Sequence, residues 1–158
     1  MLYKATRDGW ENEDFHKRCD DKGSTLTIIR SSVGKIFGGY ASKSWKSPPL
    51  GGTTKKDPNA FIFSIDHKTV YRPTDPDKAL YCNSNRGPVF GVNSLTLQFG
   101  TMNEKNNGYC HTNGYNSSFF KVECDAEGNN KITGEGKDQK GDEKKYTCTG
   151  LEVYKVIY

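Results

Sequence analysis

The chain has 158 residues, a length that suits one domain with one substantial core. Hydrophobic residues make up only 33% of it, but 9 tyrosines, 8 phenylalanines and 2 tryptophans bury far more area each than an alanine or valine, so a packed fold is expected. The 23 basic and 19 acidic residues leave a net charge of +4 spread without an Arg-rich block, which argues against a nucleic-acid footprint.

The start, from Met1 to Trp10, has no apolar core of signal-peptide length. No uninterrupted apolar run approaches the ~20 residues that a membrane-spanning helix requires. A soluble, cytoplasmic monomer is therefore the expectation. Five cysteines (Cys19, Cys82, Cys110, Cys124 and Cys148) form no CxxC pair, and their odd number fits reduced thiols better than a disulfide framework. The single sequon at Asn116 carries no weight without secretion.

In chain order, Leu2 to Ala5 reads as a short strand. Trp10 precedes a helix over Asn12 to Asp20, whose Phe15 and Cys19 share a face four residues apart. With Glu11 or Asn12 as the cap, Trp10 and Phe15 have the spacing of a hydrophobic staple. Gly23 is the expected left-handed residue after the helix. Thr25 to Arg30 and Lys35 to Phe37 read as a hairpin joined through Ser31 to Gly34.

The stretch from Gly34 to Trp45, GKIFGGYASKSW, places Gly38-Gly39 inside an aromatic run. A bend or bulge packed under Trp45 is the expectation there. Neither GxGxxG nor GxxxxGK[ST] surrounds the pair, so a phosphate-cradling loop is the weaker reading.

Ser42 to Asn59 reads as a long polar connection. Ala60 to Ile65 reads as a central strand buried on both faces, turning at Asp66 to Lys68 into Thr69 to Arg72. Pro73 to Asp77 breaks the sheet. Further short strands are expected at Ala79 to Cys82, Pro88 to Gly91, Ser94 to Phe99, Tyr109 to His111 and Phe119 to Val122. Asp125 to Lys145 is charged and nearly without apolar residues, so it reads as a solvated insertion with a small island at Ile132. Two final strands cover Tyr146 to Thr149 and Leu151 to Tyr158. About ten strands and one clear helix favour a mainly β fold, a two-sheet antiparallel β-sandwich flanked by short helices.

No spacing in the chain carries catalytic chemistry. His16 lies on the helix, His67 in a polar turn, and Cys110 and His111 point to opposite sides of a strand. Four zinc ligands would have to come from scattered positions. Asp20-Asp21 and Asp75/Asp77 fall in turns, where aspartate is common for backbone reasons. Ser117-Ser118 lacks the glycines of a nucleophile elbow. No catalytic residue, metal or cofactor is expected.

Four separated segments resemble the TLDc domain family. They are Leu2 to Asp20 with Gly23 and Thr25 to Thr27; the GKIFGGYASKSW stretch; Asp57 with Asn59 to Ile65; and Pro88 to Gly91 with Leu151 to Val156. The resemblance covers residues 2–158 as a single domain. It departs from the pattern at Glu11, where a small hydroxyl residue is usual, and in the long 125–145 segment. With Met1 directly before the match, a domain cut from a longer protein is the expectation.

The resemblance implies a two-sheet sandwich and a non-enzymatic interaction domain. It further implies binding and regulation of the vacuolar-type proton-pumping ATPase, with recruitment to endolysosomal or vacuolar membranes and support of oxidative-stress resistance. Asp8, His16 and Glu152 are the candidates for a polar network or partner surface. Gly9, Phe15, Gly38, Gly39, Trp45, Phe61, Phe63 and Gly91 are the structural matches. A thiol-based antioxidant enzyme and a lectin-like glycan-binding sandwich are the alternatives.

Overall fold

The computed structural model describes residues 1–91, 95–98, 109–111, 120, 132 and 146–158. Within them the chain forms two antiparallel sheets and a few short helices. The expected reading of a mainly β, two-sheet sandwich holds.

The larger sheet begins with β1 (Tyr3–Lys4), β2 (Thr25–Ser31) and β3 (Ile36–Ala41). β2 and β3 pair as the expected hairpin, closed by Gly34 at φ 81° and by the Gly34 N–H donating to the Ser31 carbonyl at 3.0 Å. The glycine frees that turn to take a left-handed residue. β4 (Gly52–Lys55) belongs to the second sheet, and β5 (Phe61–Ser64) and β6 (Thr69–Tyr71) return to the first. A 3-10 turn at Pro76–Lys78 leads to β7 (Leu80–Asn83), β8 (Val89–Phe90), β9 (Leu95–Gln98), β10 (Tyr109–His111) and β11 (Tyr146–Lys155).

The larger sheet has the order β1-β11-β2-β3-β5-β6, and the second runs β4-β7-β8-β9-β10. β11 serves both. Thr147 pairs with Tyr109 of β10, and from Cys148 onward the strand pairs with β2, with an irregularity between Cys148 and Gly150. A bulge of this kind lets one strand turn a sheet corner. The sequence reads this segment as two strands because Gly150 interrupts its alternation.

The core lies between the layers. Trp45, 1% exposed, meets Phe15 at 6.1 Å and Phe90 at 5.4 Å between ring centroids, both edge-on. Its indole N–H donates to Thr25 Oγ1 at 2.9 Å, which satisfies the one polar atom of an otherwise apolar side chain. Phe120 and Ile132 are also buried in this core. The rest of the expected strand at 119–122 and of the 125–145 insertion lies outside the described residues.

Several local expectations are corrected. Leu2 to Ala5 is not all strand: Ala5–Asp8 forms a one-turn helix, α1. The Asp8 carboxylate accepts the Lys4 N–H at 2.9 Å, and this side-chain closure outweighs the weak helical signal of four residues. The second helix, α2 (Asn12–Cys19), is followed by Asp20 in extended geometry and Asp21 at φ 57°, so Asp21 rather than Gly23 is the first left-handed residue. Gly23 takes φ 82° two positions on.

Gly38-Gly39 is not a bend. β3 runs through both glycines in unbroken register with β2 and β5, and neither has a positive φ. Their role is close approach. A Cβ on Gly39 would lie 2.5 Å from the Phe90 ring, and one on Gly38 would overlap the Thr27 carbonyl and approach the Phe63 ring at 3.0 Å.

The long Ser42 to Asn59 connection contains β4, which pairs with β7. It is organised by Asp57, fully buried, whose carboxylate accepts from the Ser42 N–H at 2.7 Å, Ser42 Oγ at 2.5 Å, the Lys43 N–H at 3.2 Å and the Asn59 N–H at 3.1 Å. A buried carboxylate is tolerated when donors surround it in this way. β5 is not buried on both faces. It alternates, with Ile62 and Ser64 inside and Phe61 and Phe63 half-buried outside, because among the described residues the second sheet packs against one side only.

Candidate functional site

Asp8 and Glu152 are joined through one residue. Lys4 gives its backbone N–H to Asp8 and its ammonium to Glu152 at 2.9 Å. The pairing of β1 with β11, Lys4 opposite Glu152, creates this geometry. Asp8 also receives the Arg7 guanidinium at 2.7 Å and Arg18 Nε at 3.3 Å, so it ties α1 to α2. The Arg7 hydrogen bond leads the Lys4 and Arg18 contributions in holding the Asp8 carboxyl well below the usual carboxylate range, against an opposing effect of desolvation. Glu152 is likewise held down, by the Tyr154 hydroxyl first and then by Lys4.

His16 sits apart from that pair. Its Nδ1 faces Asp20 Oδ1 at 2.8 Å, and its Nε2 faces the backbone carbonyls of Asn83 at 3.0 Å and Arg86 at 2.8 Å. All three partners accept, so only the doubly protonated imidazolium can donate to them all. Burial works against that charge, but the hydrogen bond and charge of Asp20 and the two carbonyls outweigh it, and the pKa is raised. Asn12 adds a second bond to the same segment, donating to the Asn85 carbonyl at 2.9 Å. Asp20 also accepts from Ser47 Oγ, and Asp21 donates its N–H to the Trp45 carbonyl at 3.1 Å. The helix is therefore fastened at both ends, to the β7–β8 connection and to the Trp45 loop.

The structural matches fall where backbone or packing requires them. Gly9 takes φ 108°, and a Cβ there would overlap the Asp14 carboxylate, which accepts the Glu11 N–H at 3.2 Å at the start of α2. The Gly9 carbonyl accepts the buried Tyr3 hydroxyl at 2.7 Å. Gly91 takes φ 68° and donates its N–H to the Ala79 carbonyl at 2.7 Å. Phe15 meets Tyr3 edge-on at 5.9 Å, whereas Phe61 and Phe63 lie 6.3 Å apart on the outer side of the larger sheet.

Lys4, Arg18, Asp20 and Asp57 were not singled out from the sequence as site residues, although each binds two or more elements together. Asp57 alone had a legible signal: an aspartate two residues before Asn59, within a proline-containing turn, is a natural acceptor of backbone N–H groups.

Cys19, Cys82 and Cys148 are buried free thiols. Burial pushes Cys19, with Asp20 adding to the effect, and Cys148 up to about 12, and it also raises Cys82. Such thiols are almost wholly protonated at neutral pH and are poor nucleophiles. Among the described residues, no group of three or more His, Cys, Asp or Glu side chains is placed to hold a metal ion. Among the same residues, no helix is long and apolar enough to cross a membrane.

The family model described as TLDc domain matches residues 1–157. The MTOR-associated protein MEAK7 of Xenopus laevis is 32% identical over 108 residues, covering 63% of this chain and 23% of that protein. The protein of the same name from Danio rerio is 29% identical over 65 residues, covering 41% of this chain and 14% of its own length. This chain thus spans under a quarter of either relative.

Proposed function

The chain belongs to the TLDc domain family, and from that premise we propose that it is a protein-interaction domain that binds the vacuolar-type proton-pumping ATPase and regulates it. The observation that carries this reading is the family match across residues 1–157. In this reading the domain acts in the cytoplasm and reaches endolysosomal or vacuolar membranes through its partner. Stress resistance then follows from control of the pump. Asp8 and His16 hold the helices in place, and Glu152 lies at the margin of the surface offered to partners.

The raised thiol pKa values count against a cysteine-based antioxidant enzyme for the three described thiols. A folded variant with all five cysteines changed to serine should keep its protective effect against peroxide. Loss of protection would favour the enzyme instead.

The direct test is affinity capture with the immobilised domain, using a scrambled-sequence control. ATPase subunits should be enriched from a detergent-treated lysate. No enrichment over the control would sink the proposal. The relatives' printed name, which describes association with mTOR, makes mTOR the second partner to probe in the same eluate.

A further inference from the structure

The side of the larger sheet turned away from the second layer carries apolar side chains where water-facing strand positions are ordinarily polar. Three rows follow from the strand register. One holds Tyr154, Leu26, Tyr40 and Phe61, the next Glu152, Ile28, Gly38, Phe63 and Val70, and the last Arg30 and Ile36. Tyr40 is itself buried, stacked on Phe61 at 5.2 Å and hydrogen-bonded through its hydroxyl to that of Tyr158, so the open part of the strip lies around Phe61, Phe63 and Val70. The absent side chain of Gly38 lets the Phe63 ring lie over β3. Val70 is 59% exposed and Ile65, just beyond β5, is 57% exposed.

Charges on this side are mostly cancelled. Glu152 is matched by Lys4, with the Arg30 charge also acting on it from the next row, and Asp66 at the rim faces Lys35 at 3.8 Å. Arg30 and Arg72 are exposed, and neither has an ion pair among the described residues. Arg72 lies over the Phe61 ring, 5.8 Å from its centroid. The two guanidiniums occupy diagonally opposite corners of the apolar strip, three strands and two rows apart, or roughly 20 Å between backbones.

We propose that this side is a docking surface for a protein segment with two or three apolar anchors between two acidic residues. An extended segment spans that distance in about six residues, which sets the spacing of the two acids. Charge complementarity selects this occupant. A second copy docked on the same side would bring like-charged arginines together. An anionic bilayer calls for a cluster of ~4–8 basic residues rather than two. The proposal rests on the reading of the chain as an interaction domain, and it names the chemistry of the partner.

The test uses a fluorescent peptide, Glu-Ser-Phe-Ser-Leu-Ser-Glu, in which both acids and both apolar anchors share one face of an extended chain, against its counterpart with lysine at both ends. The acidic peptide should bind at least tenfold more tightly by anisotropy, and its amide shifts should map to β3, β5 and β6. The double variant Arg30→Glu with Arg72→Glu, shown to be folded by circular dichroism, should reverse the preference. Equal affinities, no binding of either peptide, shifts confined to other strands, tighter binding to phosphatidylserine vesicles than to the peptide, or self-association lost in the double variant would each overturn it. Capture from lysate separates the two readings. Peptide binding without ATPase subunits leaves the surface standing and removes the pump, whereas equal capture by wild type and double variant removes the surface and leaves the pump.

Discussion

Gly38 and Gly39 are neighbours on one strand, and each lacks a side chain for the benefit of a different side of the sheet. At Gly39 the space is filled by Phe90 from the facing layer; at Gly38 it is filled by the Thr27 carbonyl of β2 and, just beyond it, the Phe63 ring of β5. The inner side is closed, with Trp45 clasped between Phe15 and Phe90 and its one N–H satisfied. The outer side also carries aromatic residues, but among the described residues no strand of the second sheet lies over it, and Tyr158 reaches it only at Tyr40. Aromatic composition therefore does not distinguish a core from a contact surface. What distinguishes them is whether a second layer arrives on top.

That contrast can be broken most forcefully at Trp45. Replacing it with alanine should cost about 3–5 kcal/mol, the range for a large aromatic removed from a core, and leave Thr25 without its donor. Urea denaturation would show the loss, and a midpoint within 0.3 M of wild type, taken as roughly the resolution of such a measurement, would contradict the closed inner side. Gly39→Val should come next, at about 1–3 kcal/mol from overpacking against Phe90. A Gly39→Val protein of native stability that had merely lost partner binding would mean that the glycine belongs to the outer surface.

A graded effect is expected where α2 is fastened to the second sheet. The folded pKa of His16 is raised above its ordinary value of 6.5, so its contribution to stability is complete below that pH. It is lost as pH rises through the folded value, because the unfolded chain then binds fewer protons than the folded one. Denaturation midpoints measured from pH 6 to pH 9 should decline in wild type and stay flatter in His16→Gln. Parallel profiles would place the charge elsewhere. The smallest change is expected on the open side, where Val70→Ser should alter stability by no more than about 0.5 kcal/mol while weakening any partner held there. A large loss of stability in that variant would show that the outer side is a core after all.

Much of this architecture is legible in the residues. Phe15 and Cys19 four apart announce α2, and the alternation from Thr25 onward with Gly34 at its turn announces the β2–β3 hairpin. The glycine pair was legible as special but not as to kind, since a close approach to Phe90 depends on a residue some fifty positions away. β4 is hidden because Thr53, Thr54 and Lys55 have no apolar alternation and draw their order from pairing with β7. The candidate site was half legible. The polarity of Asp8, His16 and Glu152 singled them out, but their division into two separate networks, one running through Lys4 and one through Asp20, depends on how strands and helices come together.

The position of β11 has a consequence for how the molecule is made. The strands β2, β3, β5 and β6 lie close in sequence and pair largely with near neighbours, so they can assemble while the chain is still emerging from the ribosome. The strand that joins β1 to β2, and that carries the link to the second sheet, is encoded at residues 146–155. Until it is synthesised, β2 is an unpaired edge in the middle of what will become the sheet. Such an edge is a template for pairing with another chain. Translation stalled before residue 146 would therefore leave a nascent chain that needs a chaperone at β2, and release of the last strand would relieve that need.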